Sequence, residues 1–302
     1  LLLPGEVILQ SNETYRAPEV WAVYSAEGID GASARFHQSV RARATHPTNI
    51  RPRPVTLNVW EAVYFDHNLE KLTALADAAA EIGVERFVLD DGWFGARRDD
   101  FAGLGDWVVS ADVWPNGLSP LVEAVNSRGM EFGLWFEGEM VNANSDLYRA
   151  HPEWILQSGG RVPPEFRNQQ VVDLSHPGAY AHVFNQVNAI LSEYNIAYIK
   201  WDHNRVLTEA AHLGRPTVRK QTEAIYRMFD ELKAAHPGLE IESCASGGGR
   251  IDLEMINHAD RFWTSDNNDA LERQSMQRFT TIVIPPEMLG THIGPTKAHS
   301  TG

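Results

Sequence analysis

Two rhythms of hydrophobic and polar positions divide the chain. In residues 1–50 polar and apolar residues alternate, as in Thr14-Tyr15-Arg16 and Val20-Trp21-Ala22-Val23-Tyr24, with turn residues at Gly28, Asp30 and Gly31. Such alternation predicts β-strands of a sheet or sandwich. His46-Pro47 and Arg51-Pro52-Arg53-Pro54 then form a stiff linker, because a residue before proline is pushed out of the helical region. Beyond it the rhythm becomes apolar strand, loop, amphipathic helix, repeated. Strands are predicted over 55–60, 87–89, 132–136, 196–201, 239–243 and 261–264. Helices are predicted over 67–82, 118–128, 179–194, 217–235 and 270–284, with a short one at 251–258. The first two of these stop at Gly83 and Gly129, as glycine C-caps do.

Near-continuous apolar strands alternating with helices imply a parallel sheet covered by helices. No Gly-x-Gly-x-x-Gly follows the first strand, which removes the usual dinucleotide-binding reading. The number of strand–helix units favours an α/β fold of the (β/α)8 TIM barrel type, which needs about 250 residues. At most seven strands are visible, and the chain starts without Met. We therefore expect part of a longer protein: residues 1–50 as the tail of a β-sandwich domain with its linker, and 51–302 as a barrel cut before its last strand.

Composition narrows the chemistry. The 302 residues are 43% hydrophobic and 22% charged, enough for a substantial core. A net charge of −14 argues against nucleic acid or an anionic membrane as partner, since both require clustered positive charge. Cys244 alone excludes an internal disulfide or a thiolate zinc site. No apolar run reaches a membrane span, and no metal-type histidine spacing or P-loop is present; no metal or cofactor is expected.

The candidate chemistry sits where strands end, as it does in such barrels. These ends read Asp90-Asp91-Gly92-Trp93, Trp135-Phe136-Glu137, Lys200-Trp201-Asp202-His203-Asn204-Arg205, Glu242-Ser243-Cys244-Ala245-Ser246-Gly247 and Trp263-Thr264-Ser265-Asp266. Many such residues merely cap the next helix. Lys200 resists that explanation: lysine is scarce here, and this one lies in an apolar strand where it needs an anionic partner, with Asp202 two residues on and on the same side. Carboxylates among tryptophans suit a sugar, and glycoside cleavage needs two carboxyls flanking one bond. Asp202 and Asp266 are the pair available for it.

At these residues the sequence resembles the α-galactosidases of glycoside hydrolase family 36. Asn58-Val59-Trp60-Glu61-Ala62, Asp90-Asp91-Gly92-Trp93-Phe94, Trp135-Phe136-Glu137, Arg167-Asn168-Gln169, Lys200 through Arg205, Cys244 through Arg250 and Trp263 through Asp266 occur in family order. The resemblance implies a retaining hydrolase of melibiose- or raffinose-type α-galactoside oligosaccharides. Asp202 would be the nucleophile, on the fourth barrel strand, and Asp266 the acid/base. By the same resemblance Asp90 and Asp91 would bind hydroxyls 4 and 6, Lys200 and Arg167 other ring hydroxyls, and Cys244 and Gly247 the 2-hydroxyl. Trp60, Trp135 and Trp263 would wall the pocket, and Asn204 would join it. A homo-oligomer, a tetramer, is the family habit, and a cytoplasmic location is expected. Two alternatives remain open: a galactosyl transferase of the raffinose-synthesising kind and a sugar-binding barrel without turnover. The sequence departs from the family at Gly138, Ala143-Asn144 and Pro163-Pro164-Glu165-Phe166, all in the third loop, which leaves the leaving-group preference open.

Overall fold

The computed structural model describes residues 2–43 and 51–294; His46-Pro47 of the expected linker lie outside them. Seven parallel strands form one curled sheet in which neighbours in space are neighbours in sequence. They are β1 (Thr56–Asn58), β2 (Arg86–Leu89), β3 (Glu131–Phe136), β4 (Tyr198–Trp201), β5 (Glu240–Ser243), β6 (Arg261–Trp263) and β7 (Leu289–Gly290). Every pairing is parallel, as crossover connections through helices require. Among the described residues β1 and β7 are not paired with each other. The described residues thus form seven strands of a (β/α)8-type barrel.

The longer helices are α1 (Gly28–Arg43), α2 (Leu69–Glu81), α3 (Ser119–Asn126), α4 (Pro177–Glu193), α5 (Val218–Ala235) and α6 (Ala270–Thr280). Local signals set their ends. The Asn68 side chain accepts the Lys71 N–H at 3.0 Å to start α2, and Asp269 accepts from Leu271 to start α6, satisfying amides that lack an intrahelical partner. Gly83, at φ +83°, lets the chain leave α2 in a left-handed turn. No helix of the described residues is long and apolar enough to cross a membrane.

Two local expectations are corrected. Residues 28–43 form α1 rather than a turn between strands, and none of residues 2–27 joins a sheet. Asp30 stands in the first turn of α1 and Arg41 and Arg43 in the last, the arrangement the helix dipole favours. α1 docks on the barrel by Val40, 1% exposed, and by the Arg41–Glu287 ion pair. The short helix at 251–258 shrinks to one turn, Met255–Asn257. The region around 171–174 stays out of the barrel: Gln170–Val171 pairs antiparallel with Met140–Val141, so the strand carrying Asp202 is the fourth.

One end of the barrel is plugged by charge. Arg86, fully buried, donates to Glu240 at 2.9 Å and to Glu131 at 2.7 Å, and lies over the Tyr198 ring. Such a cation is tolerated in the interior only because its partners are fixed beside it.

Candidate active site

The strand ends meet in one cavity of about 820 Å³, within the roughly 300–1,000 Å³ range of small-molecule sites. Across three strands Trp135, Lys200 and Glu242 stand side by side in register, and all three line it. Their neighbours Phe136 and Trp201 belong to the core, Trp201 packing edge-on to Phe229 of α5 at 5.4 Å. The twofold alternation of a strand thus sorts chemistry from packing. Trp93 and Trp107 are fully buried core, and Trp93 holds the Trp135 carbonyl through its indole N–H at 2.9 Å.

Asp202 is held by several donors. Its Oδ1 accepts the His203 N–H at 2.8 Å, and its Oδ2 accepts Asn204 Nδ2 at 2.8 Å and Trp135 Nε1 at 3.3 Å. The Cys244 thiol also bonds to it. Burial alone would raise its pKa, but the Lys200 charge and these donors hold it below the ordinary value. Asp266 is tuned the other way. Burial and then the Asp202 charge raise its pKa, against the nearby Lys200 and the Trp263 indole N–H, which donates to it at 2.8 Å. One carboxyl is kept charged and the other is biased toward its proton.

Lys200 does have an anionic partner, but the direct one is Asp90, at 3.3 Å; Asp202 acts on it at longer range. Burial opposes the ammonium, yet Asp90 and the surrounding anions keep its pKa well above that of a free lysine. Asp90 also accepts Asn58 Nδ2 at 2.5 Å. Asp91 is gripped by Arg97, whose Nη2 and Nε donate at 2.7 and 2.9 Å. Burial nevertheless pushes Asp91 up to about 6, with Arg97 pulling against it.

Of the residues singled out from sequence, Asp90, Asp91, Trp60, Trp135, Arg167, Lys200, Asp202, Asn204, Trp263 and Asp266 line the cavity. Arg167 reaches it from a left-handed turn, at φ +52°. Cys244 and Gly247 are not in its wall. Cys244 is 1% exposed, and its raised pKa, mostly from burial, keeps the thiol protonated as a donor to Asp202. At Gly247, φ +87°, a Cβ would lie 2.7 Å from the Ser265 Cα, so this glycine lets the fifth loop touch the sixth. The third loop enters the cavity through Glu137, Arg167 and Gln169, whereas Gly138, Ala143, Asn144 and residues 163–166 do not line it. Sequence reasoning assigned no role to Asn58, Arg97, Glu137, Gln169, Glu242, Asn268 or His292, all of which do. Glu137 and Glu242 stood in quoted strand ends, and Asn58 and Gln169 in quoted family motifs; Arg97 has no local signal.

The Melibiase family model matches residues 14–302. The chain belongs to that family. It is 46% identical over 301 residues to an α-galactosidase of Escherichia coli, covering 100% of this chain and 42% of that protein. It is 42% identical to α-galactosidase AgaA of Geobacillus stearothermophilus, covering 98% of this chain and 41% of the relative. The chain thus spans about two fifths of the length of these curated relatives. The crystal structure of the GH36 α-galactosidase AgaB from Geobacillus stearothermophilus matches with a TM-score of 0.88 and 43% identity, over 92% of this chain and 39% of that one. The glycoside hydrolase family 36 resemblance drawn from the motifs therefore holds. An AgaA variant has been crystallised in complex with raffinose and matches with a TM-score of 0.84 over 89% of this chain.

Proposed function

We propose that the complete protein carrying this chain is a retaining α-galactosidase acting on terminal α-galactosyl residues of raffinose-type oligosaccharides. The observation that carries the reading is the opposite tuning of Asp202 and Asp266 in one cavity. A nucleophile must be charged and a general acid must hold a proton.

Asp202 attacks the anomeric carbon while Asp266 gives its proton to the departing glycosidic oxygen, leaving a galactosyl ester on Asp202. Water then attacks the same carbon, Asp266 takes its proton, and the ester bond breaks to free Asp202 and α-galactose. Two inversions give net retention. The donors on Asp202, from Asn204, Trp135 and the His203 amide, hold it in place and spread its charge as the ester forms and breaks. The Lys200–Asp90 pair with Asn58, and the Asp91–Arg97 pair, present fixed acceptors for sugar hydroxyls. Trp60 offers an apolar face, braced edge-on by Tyr64 and Phe65. Raffinose binding by the Geobacillus relative supports the same substrate class here. Residues 1–50 are proposed to lead out of a preceding β-domain; Val20, 94% exposed, and Tyr24, 79% exposed, are apolar surface such a neighbour would cover.

The test is hydrolysis of an aryl α-galactoside with the first-formed sugar followed by NMR. α-Galactose appearing first supports the reading, and β-galactose first sinks the retaining step. Asp202→Asn should lower kcat by on the order of a thousandfold or more with the fold intact.

A further inference from the structure

The mechanism above leaves two buried carboxyls of the cavity, Glu137 and Glu242, unused. Glu137 follows β3 and is 1% exposed. Its Oε1 accepts the Asn204 backbone N–H at 2.6 Å. The same Asn204 donates its side-chain amide to Asp202 at 2.8 Å and accepts from Ser246 Oγ at 3.1 Å. Glu137 therefore holds the turn that aims Asn204 at Asp202, and it joins the third loop to the fourth and fifth.

Its charge state follows from its neighbours. Among the described residues no cation forms an ion pair with it. Arg97, from the second loop, is bound to Asp91, and Lys200 is paired to Asp90. Glu139, two residues on, is turned to Arg250 and His203. Of the charges that act on it, the anion Asp202 outweighs the Arg97 cation. The other oxygen, Oε2, lies 3.3 Å from the Gln169 amide, whose Oε1 is buried without a partner among the described residues. Turned over, that amide accepts a hydrogen bond from a protonated Glu137 through its oxygen; the two orientations differ only in which atom is called oxygen. Burial, then the Asp202 charge, pushes Glu137 up to about 8.

We propose that Glu137 is a positioning residue that works as a neutral carboxylic acid: it fixes Asn204 for its bond to Asp202 while keeping a second negative charge away from that carboxylate. The proposal rests on the retaining reading for its kinetic consequences, but not for the protonation state. When Glu137 loses its proton, two adjacent buried anions repel, and Asp202 moves off the line of attack.

The experiment compares wild type, Glu137→Ala and Glu137→Gln in the full-length protein on an aryl α-galactoside, with infrared difference spectra of wild type against Glu137→Gln at neutral pH. Glu137→Ala should lower kcat about ten- to a hundredfold, a misplacement effect, with KM within about threefold. Glu137→Gln, a neutral isostere, should restore most of that kcat. Wild-type kcat should fall as pH passes about 8, and this limb should be missing in Glu137→Gln. The infrared difference should contain the carbonyl band of a protonated carboxylic acid. A carboxylate band in its place overturns the proposal whether or not the protein hydrolyses galactosides. Glu137→Gln as poor as Glu137→Ala, or an unchanged alkaline limb, overturns it too. A wild type silent on every galactoside, with the acid band present, would sink the hydrolase reading and leave the protonation state standing.

Discussion

Replacing Gly247 by alanine tests how the fifth loop sets the position of the acid/base. Gly247 sits at φ +87°, and an added Cβ would come within 2.7 Å of the Ser265 Cα and 3.1 Å of the Asp266 N. Both are backbone atoms, so no side chain can swing aside. The first contact is roughly 0.8 Å short of the ~3.5 Å at which carbon atoms rest, and relief must come from moving the 265–266 segment or the loop. Left-handed backbone adds about 1–2 kcal/mol for a residue with a Cβ. Displacement of a reacting group by about an ångström can cost on the order of a hundredfold. Gly247→Ala should therefore lower kcat/KM by about ten- to a hundredfold and reduce stability by about 2 kcal/mol. The assay is steady-state hydrolysis of an aryl α-galactoside beside a thermal melt. Activity within about threefold of wild type together with an unchanged melt would show that the loop has room and refute the reasoning.

Three further outcomes are expected. Asp266→Asn should harm substrates with poor leaving groups far more than aryl galactosides with very acidic phenols, because only the former need a proton on departure; equal losses would remove the acid role. Glu139 is held down to about 2, with Arg250 and His203 outweighing burial. A depressed carboxyl stabilises above its unfolded pKa and loses that contribution as pH falls through the folded one, so Glu139→Gln should cost about 3 kcal/mol near neutrality, and the gap should narrow between about pH 5 and pH 2. Arg86→Ala should cost about 3 kcal/mol by removing the cation closest to buried Glu240, whose other partners Arg51, Arg53 and Arg261 stand at 3.3, 3.7 and 3.9 Å. Arg41→Ala, which breaks the exposed pair with Glu287, should stay within about 1 kcal/mol; comparable melting shifts for both would show that burial does not decide these pairs.

What the sequence by itself determined is whatever depends on near neighbours along the chain. The apolar strand–helix rhythm is written in period and turn residues, so the parallel barrel, the helix ends at Gly83 and Gly129 and the strand ends bearing Asp90, Asp202 and Asp266 were legible before any coordinates. The same local reading failed at residues 28–43, where helix-dipole charges and the docking of Val40 outweigh turn-like glycines. Tertiary structure alone decided the pairings. Lys200 meets Asp90 rather than Asp202, Arg97 clasps Asp91, Gly247 makes room for Ser265, and Glu137 joins Asn204. It also turned the pocket tryptophans into donors, Trp135 to Asp202 and Trp263 to Asp266. Curling the sheet brings strand ends far apart in sequence within a few ångströms of one another, and in that buried space each carboxyl's charge depends on which cation or amide stands beside it.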